Sequence, residues 1–373
     1  LGSDALQQNT TGSNNVAIGR VALASNTTAS NNTAVGYNSL LSNTTGSSNT
    51  AVGSLCMDAN TTGDNNTAIG LRALNTNTTG TNNTALGLQA LRYNQSGDYN
   101  VAVGVGALRD NTNDYNSTLG YFAGLSVSSG TQNTLIGAFA AYGLTTGSGN
   151  THVGYIAGSS ASTGSNNTSI GLASLNSISS GSDNTCVGKD AGDSVTTGGN
   201  NTIVGKDSGN SVTTGSDNTF IGRDAGNNVT TGGNQICIGK NAQSINATNN
   251  DAITIGDSSI GSFRCQVQTI SSLSDRRDKT NIEDCIDGLD LINNLKPRKF
   301  TWAMREPSSN NGTTHLGFIA QELDEVLGAK NDYIRAVDKS NPDKLEAAYG
   351  RFLPVLVKAV QELSAKVTAL EAA

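Results

Sequence analysis

The chain has 373 residues, with 23 Lys+Arg against 30 Asp+Glu and a net charge of −7. That acidic balance argues against nucleic acid as a partner, and no apolar run approaches the roughly 18 residues of a membrane-spanning helix, so membrane insertion is not expected. Composition splits the chain in two: residues 1–272 hold 39 of the 44 glycines and no Pro, Glu or Trp, whereas residues 273–373 hold all four prolines, Trp302 and all seven glutamates. A boundary is therefore expected near Ser271–Ser274.

Sixteen glycines run from Gly2 through Gly19 and Gly36 to Gly256 at intervals of 17 residues, except for the 16 between Gly104 and Gly120. A fixed short period of this extent predicts a β-solenoid over residues 1–257, one repeat per coil. Stacking at about 4.8 Å per coil would give a rod of about 75 Å. The chain has no initiator Met and starts at the end of a repeat, which suggests further coils upstream.

The residue before each ruler glycine is aliphatic, as in Ile18, Val35, Val52 and Ile255, and two residues earlier stands Thr, Val, Ser or Ile. Period-two alternation puts these on one face of a short strand. The aliphatic row assigns that face to the interior. The intervening position varies from Ala34, Ala51 and Ala68 to Leu135, His152, Cys186 and Phe220, as expected of a surrounding that tolerates size and polarity. A second inward pair follows the glycine, as in Ala73-Leu74 and Ala107-Leu108. After Gly120 it mostly becomes Ala-Gly or Ser-Gly, which predicts a thinner core or a closer backbone.

Asparagine holds one phase in thirteen successive coils, from Asn15 to Asn218. Stacked amides can hydrogen-bond along such a ladder, which accounts for the many N-x-[ST] sequons without glycosylation. Lys189, Lys206, Arg223 and Lys240 share a phase beside Asp190, Asp207 and Asp224, a solvated ion-pair ladder or, alternatively, a stripe for glycan or cation. The five cysteines form no CxxC pair, so no metal site is expected. Cys186 and Cys237 lie three coils, about 14 Å, apart, too far for a disulfide. All five are read as small buried hydrophobes. No cofactor motif is present.

The NTAVG and NTAIG wording of these coils resembles the head repeats of trimeric autotransporter adhesins and repeats of phage tail fibres. That resemblance implies a parallel bundle of three chains.

Residues 258–273 read as a stem, in which Phe263–Ile270 alternates like a strand. A serine five residues before a lysine, Ser274 and Lys279, is by itself a weak sign of nucleophilic catalysis against a plain charged turn. In the helical stripe Ile282, Ile286, Leu289 and Ile292, the helix is expected to stop before Pro297. Phe300, Trp302 and Met304 alternate as a strand, Ala320–Leu327 reads as a helix, and Tyr333–Val337 as a strand. Leu353, Val360 and Val367 fill heptad position a, and Leu356, Leu363 and Leu370 fill d, a self-association signal over 353–371. Val at a with Leu at d favours two strands by rule.

Ser274-Asp275-x-Arg277-x-Lys279-x-x-Ile282, then Leu295-Lys296-Pro297, Phe300-Thr301-Trp302 and His315-Leu316-Gly317-Phe318-Ile319-Ala320-Gln321-Glu322, resemble the phage intramolecular chaperone auto-processing family. The resemblance covers about 272–373. It implies a small α+β domain over 274–373 that trimerises, aligns the solenoids and is released by self-cleavage. It implies Ser274 as nucleophile and Lys279 as base, with Arg277, Gln321 and Glu322 as motif support and His315 either assisting or packed beside the strand. A lysine stripped of water can serve a serine as base. The implied cut lies at Ser274, between Ser274 and Asp275. Attack by a serine on its own carbonyl needs a strained four-membered ring, so cleavage before Ser274 or attack between chains stays open.

The expected protein is thus mainly β: a solenoid in a parallel homotrimer and a chaperone domain ending in a coiled coil. The resemblance places it in the distal part of a phage tail fibre, made in the host cytoplasm and extracellular on the virion. Its partners would be its own copies, upstream fibre or virion proteins, and a host-surface glycan or protein. A bacterial trimeric adhesin is the alternative, though a membrane β-barrel anchor would be expected at its end. A polysaccharide-cleaving tailspike is the other, though the solenoid has no glutamate to supply a carboxylate pair.

Overall fold

The computed structural model describes residues 2–248, 250–260, 274–303, 312–339 and 345–373. Two compact units form, Leu1–Asp257 and Ser258–Ala373. The expected stem strand Phe263–Ile270, Cys265 and Met304 lie outside the described residues.

In the first unit, β1 (Val16–Ile18) to β15 (Ile253–Ile255) build one fifteen-stranded sheet in sequential order. Neighbours are parallel and 17 residues apart, as in Thr33↔Thr50 and Val35↔Val52. The shorter coil is absorbed without a slip, with Val101 facing Ser117. The ruler glycines are required twice over. Gly36 has φ +136°, and a Cβ there would lie 2.4 Å from the carbonyl oxygen of Gly53 in the next coil. Each coil turns on a backbone that only glycine can pack this closely.

The strands face the other way from the expected interior. Ala34, Ala51, Ala68 and Ala85 are fully buried, whereas Ile18 is 49% and Leu86 45% exposed. The asparagine ladder explains this. Asn32 and Asn49 stand two residues before the middle of their strands and are buried, so period two carries the middle residue inward with them. The amide of Asn32 donates to the carbonyl of Gly46 across the coil (2.9 Å), and its Oδ1 accepts the backbone N–H of Asn49 (2.9 Å). The ladder closes the coil from inside, satisfying buried backbone groups that no strand could pair. A second ladder joins it in the earlier coils. There Asn43 bonds Asn26 Oδ1 (3.0 Å) and also the Gly46 carbonyl (2.9 Å).

Beyond Gly120 the core is refilled, not thinned. Leu74, Leu91 and Leu108 give way to Gly124, Gly158, Gly192 and Gly226, while the second asparagine ladder gives way to Val127, Leu144, Ile178 and Val195, all buried. The variable middle strand position is therefore not a permissive one. Large residues stand there where the loop leucine is missing, and Ser169 stands there where Leu175 has returned. His152 is one of the large ones. Its Nδ1 lies 2.6 Å from Ser169 Oγ, its Nε2 has no hydrogen-bond partner, and burial pushes its pKa down to about 4.

Lys189–Asp190 (2.5 Å) and Arg223–Asp224 (3.5 Å) are surface ion pairs, with Lys206–Asp207 between them. Cys56, Cys186 and Cys237 are buried as expected, but Cys285 is exposed.

In the second unit, α1 (Leu289–Asn294), α2 (Ala320–Leu327), α3 (Asn331–Ile334) and α4 (Leu353–Glu371) accompany two small antiparallel pairs, β16 (Arg298–Thr301) with β17 (Thr314–Gly317) and β18 (Val337–Asp338) with β19 (Glu346–Ala347). The core joins Leu291, Leu323, Leu327, Ile334, Val337, Phe352 and Val355. The helix expected from Ile282 starts only at Leu289, and Ile286 is 85% exposed. The nearly buried Asp287 is bonded to Lys330 and Tyr333, and Gly288 at the cap has non-helical angles. Together they interrupt the stripe. The segment expected as a strand over Tyr333–Val337 is instead the end of α3, a left-handed Arg335 and the start of β18. Trp302 lies just past β16 but still pairs with Thr313 (2.9 Å). Helix α4 is two-faced: Val355 and Ala359 are buried, whereas the heptad residues Leu353, Leu356, Val360, Leu363, Val367 and Leu370 are all exposed.

Candidate functional site

Ser274 and Lys279 flank a single 3₁₀ turn, Arg276–Asp278. Asp275 starts the turn as an N-cap, its side chain accepting the Arg277 N–H at 2.8 Å. The Arg277 guanidinium also forks the same carboxylate, Nη2 to Oδ2 at 2.6 Å, and this contact holds the Asp275 pKa below the usual carboxylate range. The turn closes where the Lys279 N–H meets the Arg276 carbonyl at 3.2 Å. Its effect is to fold five residues of sequence back on themselves. Lys279 Nζ lies 2.5 Å from Ser274 Oγ and 3.4 Å from the Ser274 carbonyl oxygen. One amine thus touches a hydroxyl and the carbonyl oxygen of the Ser274–Asp275 peptide. Both side chains are exposed in the single chain.

Residues 274–331 match the family model Peptidase_S74, Chaperone of endosialidase. The match begins at Ser274 and includes the whole turn. The family is one of self-cleaving chaperone domains, and such a segment behind a β-solenoid of 17-residue coils fits a tail-fibre- or tailspike-like protein with a C-terminal chaperone. No curated protein matches the chain.

Within the chaperone unit, the other motif residues serve different places. Among the described residues none of His315, Gln321 and Glu322 makes a hydrogen bond or ion pair to Ser274 or Lys279. His315, on β17, pairs with Phe300 and meets the Trp302 ring edge-on, with centroids 6.4 Å apart. Glu322 accepts both Arg298 Nε (2.9 Å) and Nη2 (2.7 Å), which clamps β16 to α2 and lowers the Glu322 pKa. Gln321 sits exposed in the first turn of α2.

Sequence reading missed the contacts that hold this unit together. Asp287 is nearly buried, its pKa lowered first by Lys330 and then by Tyr333, whose own hydroxyl is pushed up to about 12 by the same bond. Glu362 on α4 accepts the N–H of Leu289 at 2.8 Å and so caps α1. Tyr349 OH bridges the N–H and carbonyl of Phe318, each at 3.2 Å. The partners lie 31 to 73 residues apart, so no local spacing announces them.

Proposed function

We propose that this chain is the distal part of a phage tail fibre, whose C-terminal unit assembles three copies in register and is then cut away at Ser274. The observation that carries the cleavage step is the 2.5 Å contact between Lys279 Nζ and Ser274 Oγ at the edge of the matched segment. Lys279, as the neutral amine, takes the Oγ proton while Oγ adds to a peptide carbonyl. The intermediate collapses to an ester as the C–N bond breaks, and the new amine takes the proton. Water then hydrolyses the ester and restores the serine.

The proximity of Nζ to the Ser274 carbonyl oxygen favours a cut between Ser274 and Asp275, because a protonated amine there steadies the developing oxyanion. Attack from Ser274 of another copy avoids the four-membered ring. It also explains why exposed groups would react only in the assembly, where packing removes water from the lysine.

Self-association is supported by two unpartnered rows. One is the heptad face of α4; the other is the aliphatic row on the outer face of the solenoid strands, as at Ile69, Leu86, Leu119 and Ile136. Removing the assembly domain after folding would block the return path and give kinetic stability. Attachment of the fibre to a host surface completes the reading.

Co-expression tests it: wild-type chains mixed with tagged Ser274→Ala chains should yield cut tagged chains, since a neighbour supplies the hydroxyl. Tagged chains that remain wholly intact in mixed oligomers would sink attack between copies. A monomer by native mass spectrometry would sink the assembly.

A further inference from the structure

Aromatic rings are not spread along the solenoid. Tyr121, Phe122, Phe139, Tyr142 and Tyr155 fall in three consecutive coils, and all five contact one another through edges and tilted faces, at centroid distances from 4.1 to 6.5 Å. The three tyrosines are 41% to 52% exposed. Phe122 and Phe139 sit at φ +53° and +58°, left-handed backbone that penalises bulky residues. In later coils the same position holds Asp190, Asp207 and Asp224, a residue type that tolerates it better. Strain of this kind marks a placement kept for a purpose.

A planar polar pair borders the rings. Arg109 donates to Asp110 through Nε (2.8 Å) and Nη2 (2.9 Å), and both Tyr93 and Tyr142 act electrostatically on Arg109.

We propose that this aromatic belt is a binding site for a pyranose-based oligosaccharide. A pyranose presents one face of C–H groups edged by hydroxyls. The C–H face suits a preformed aromatic platform, and the hydroxyls suit tyrosine O–H groups and a bidentate Arg–Asp pair. The rings brace each other, so little freedom is lost on binding. Three coils span two rises of about 4.8 Å, and one rise is close to the length of one sugar unit, so a saccharide chain can run along the coil axis with successive units over successive rings.

A second copy of the chain fits less well. Contacts between copies along a fibre repeat with every coil, as the outer aliphatic row does, whereas this cluster does not recur in the other coils. The proposal rests on the attachment part of the fibre reading.

The test uses the full chain on an array of defined neutral and acidic hexose and N-acetylhexosamine oligosaccharides. Native mass spectrometry and intact mass are recorded on the same samples. A subset of sugars should be retained. Tyr142→Ala and Tyr155→Ala should each weaken binding tenfold or more, Tyr155→Phe should keep most of it, and Lys206→Ala, several coils away, should change nothing. Unaltered binding by both alanine variants places any sugar site elsewhere and overturns the belt while leaving attachment standing. Loss of oligomer in those variants makes the belt a contact between copies, which also overturns it. A blank array beside a normal oligomer and a normal cut at Ser274 overturns the belt and leaves the assembly reading intact.

Discussion

A Cβ on Gly226 would lie 2.5 Å from Cγ of Phe220. The ring therefore occupies the space that a leucine side chain fills at the same loop position in earlier coils, where Leu91 and Leu108 face Ala85 and Ala102. Gly158 with His152 and Gly192 with Cys186 repeat the relationship, at 2.5 and 2.8 Å. Core volume per coil is conserved by exchange between strand and loop.

That exchange predicts coupling. Phe220→Ala should destabilise the solenoid by about 3–5 kcal/mol through the cavity it leaves. Gly226→Leu should cost about 1–3 kcal/mol by overpacking. The double variant should regain at least about 1 kcal/mol over the sum, since it recreates an Ala–Leu coil. Leucine tolerates the backbone there, for Leu91 has φ +49° and Leu108 +48°. Strict additivity in chemical unfolding would count against volume exchange.

Cleavage should depend on both members of the Ser274–Lys279 contact. Intact mass of freshly expressed protein should show the wild-type chain split near Ser274, and Ser274→Ala and Lys279→Ala, expressed alone, uncut. The same two fragments from pure Ser274→Ala would refute the serine as nucleophile.

Acid should weaken the solenoid through His152. Its folded pKa of about 4 lies below an unfolded value near 6.5, so the neutral form is the one that folds well. The contribution is complete above pH 6.5 and shrinks as pH falls toward 4, by about 3 kcal/mol in all. His152→Leu, matching Leu135 in the preceding coil, should remove that slope. The measurement is the difference in unfolding free energy between wild type and variant from pH 7.5 to 4. A constant difference would rule the histidine out.

Thiol labelling should separate the cysteines. Burial pushes Cys56 up to about 12 and Cys237 up to about 11, and raises Cys186 as well, whereas Cys285 is exposed. Iodoacetamide on native protein should modify Cys285 well before these three. Equal rates by peptide mass mapping would contradict the buried rows.

The heptad face of α4 should carry assembly but not the fold of its own unit. Leu363→Lys, at a half-exposed position, should abolish the oligomer in native mass spectrometry and leave helicity in place. Val355→Ala, in the unit core, should cost about 1 kcal/mol or more of stability. An oligomer that survives Leu363→Lys would place association elsewhere.

The sequence by itself determined the period, the break between units and the Ser274–Lys279 spacing, because each is written in residues close along the chain. Gly36 and its repeats are readable since no other residue meets the positive φ and the carbonyl of the next coil. Ala320–Leu327 was legible from its own residues, and so was the heptad run of α4. Which strand face lies inside was not. Period-two alternation over three residues defines two faces and leaves their sign open, and the sign came from the Asn32–Gly46 bond that closes the coil across 14 residues. The exchange between Phe220 and Gly226 was hidden for the same reason: it is a contact across the coil between a strand and a loop. In the second unit, Asp287 reaching Lys330 and Tyr333 overrode the apolar stripe from Ile282, and Trp302 took His315 as a ring partner. Those choices depend on which surfaces meet when the chain closes on itself. That is set by burial and hydrogen-bond satisfaction over the whole unit, not by any local pattern.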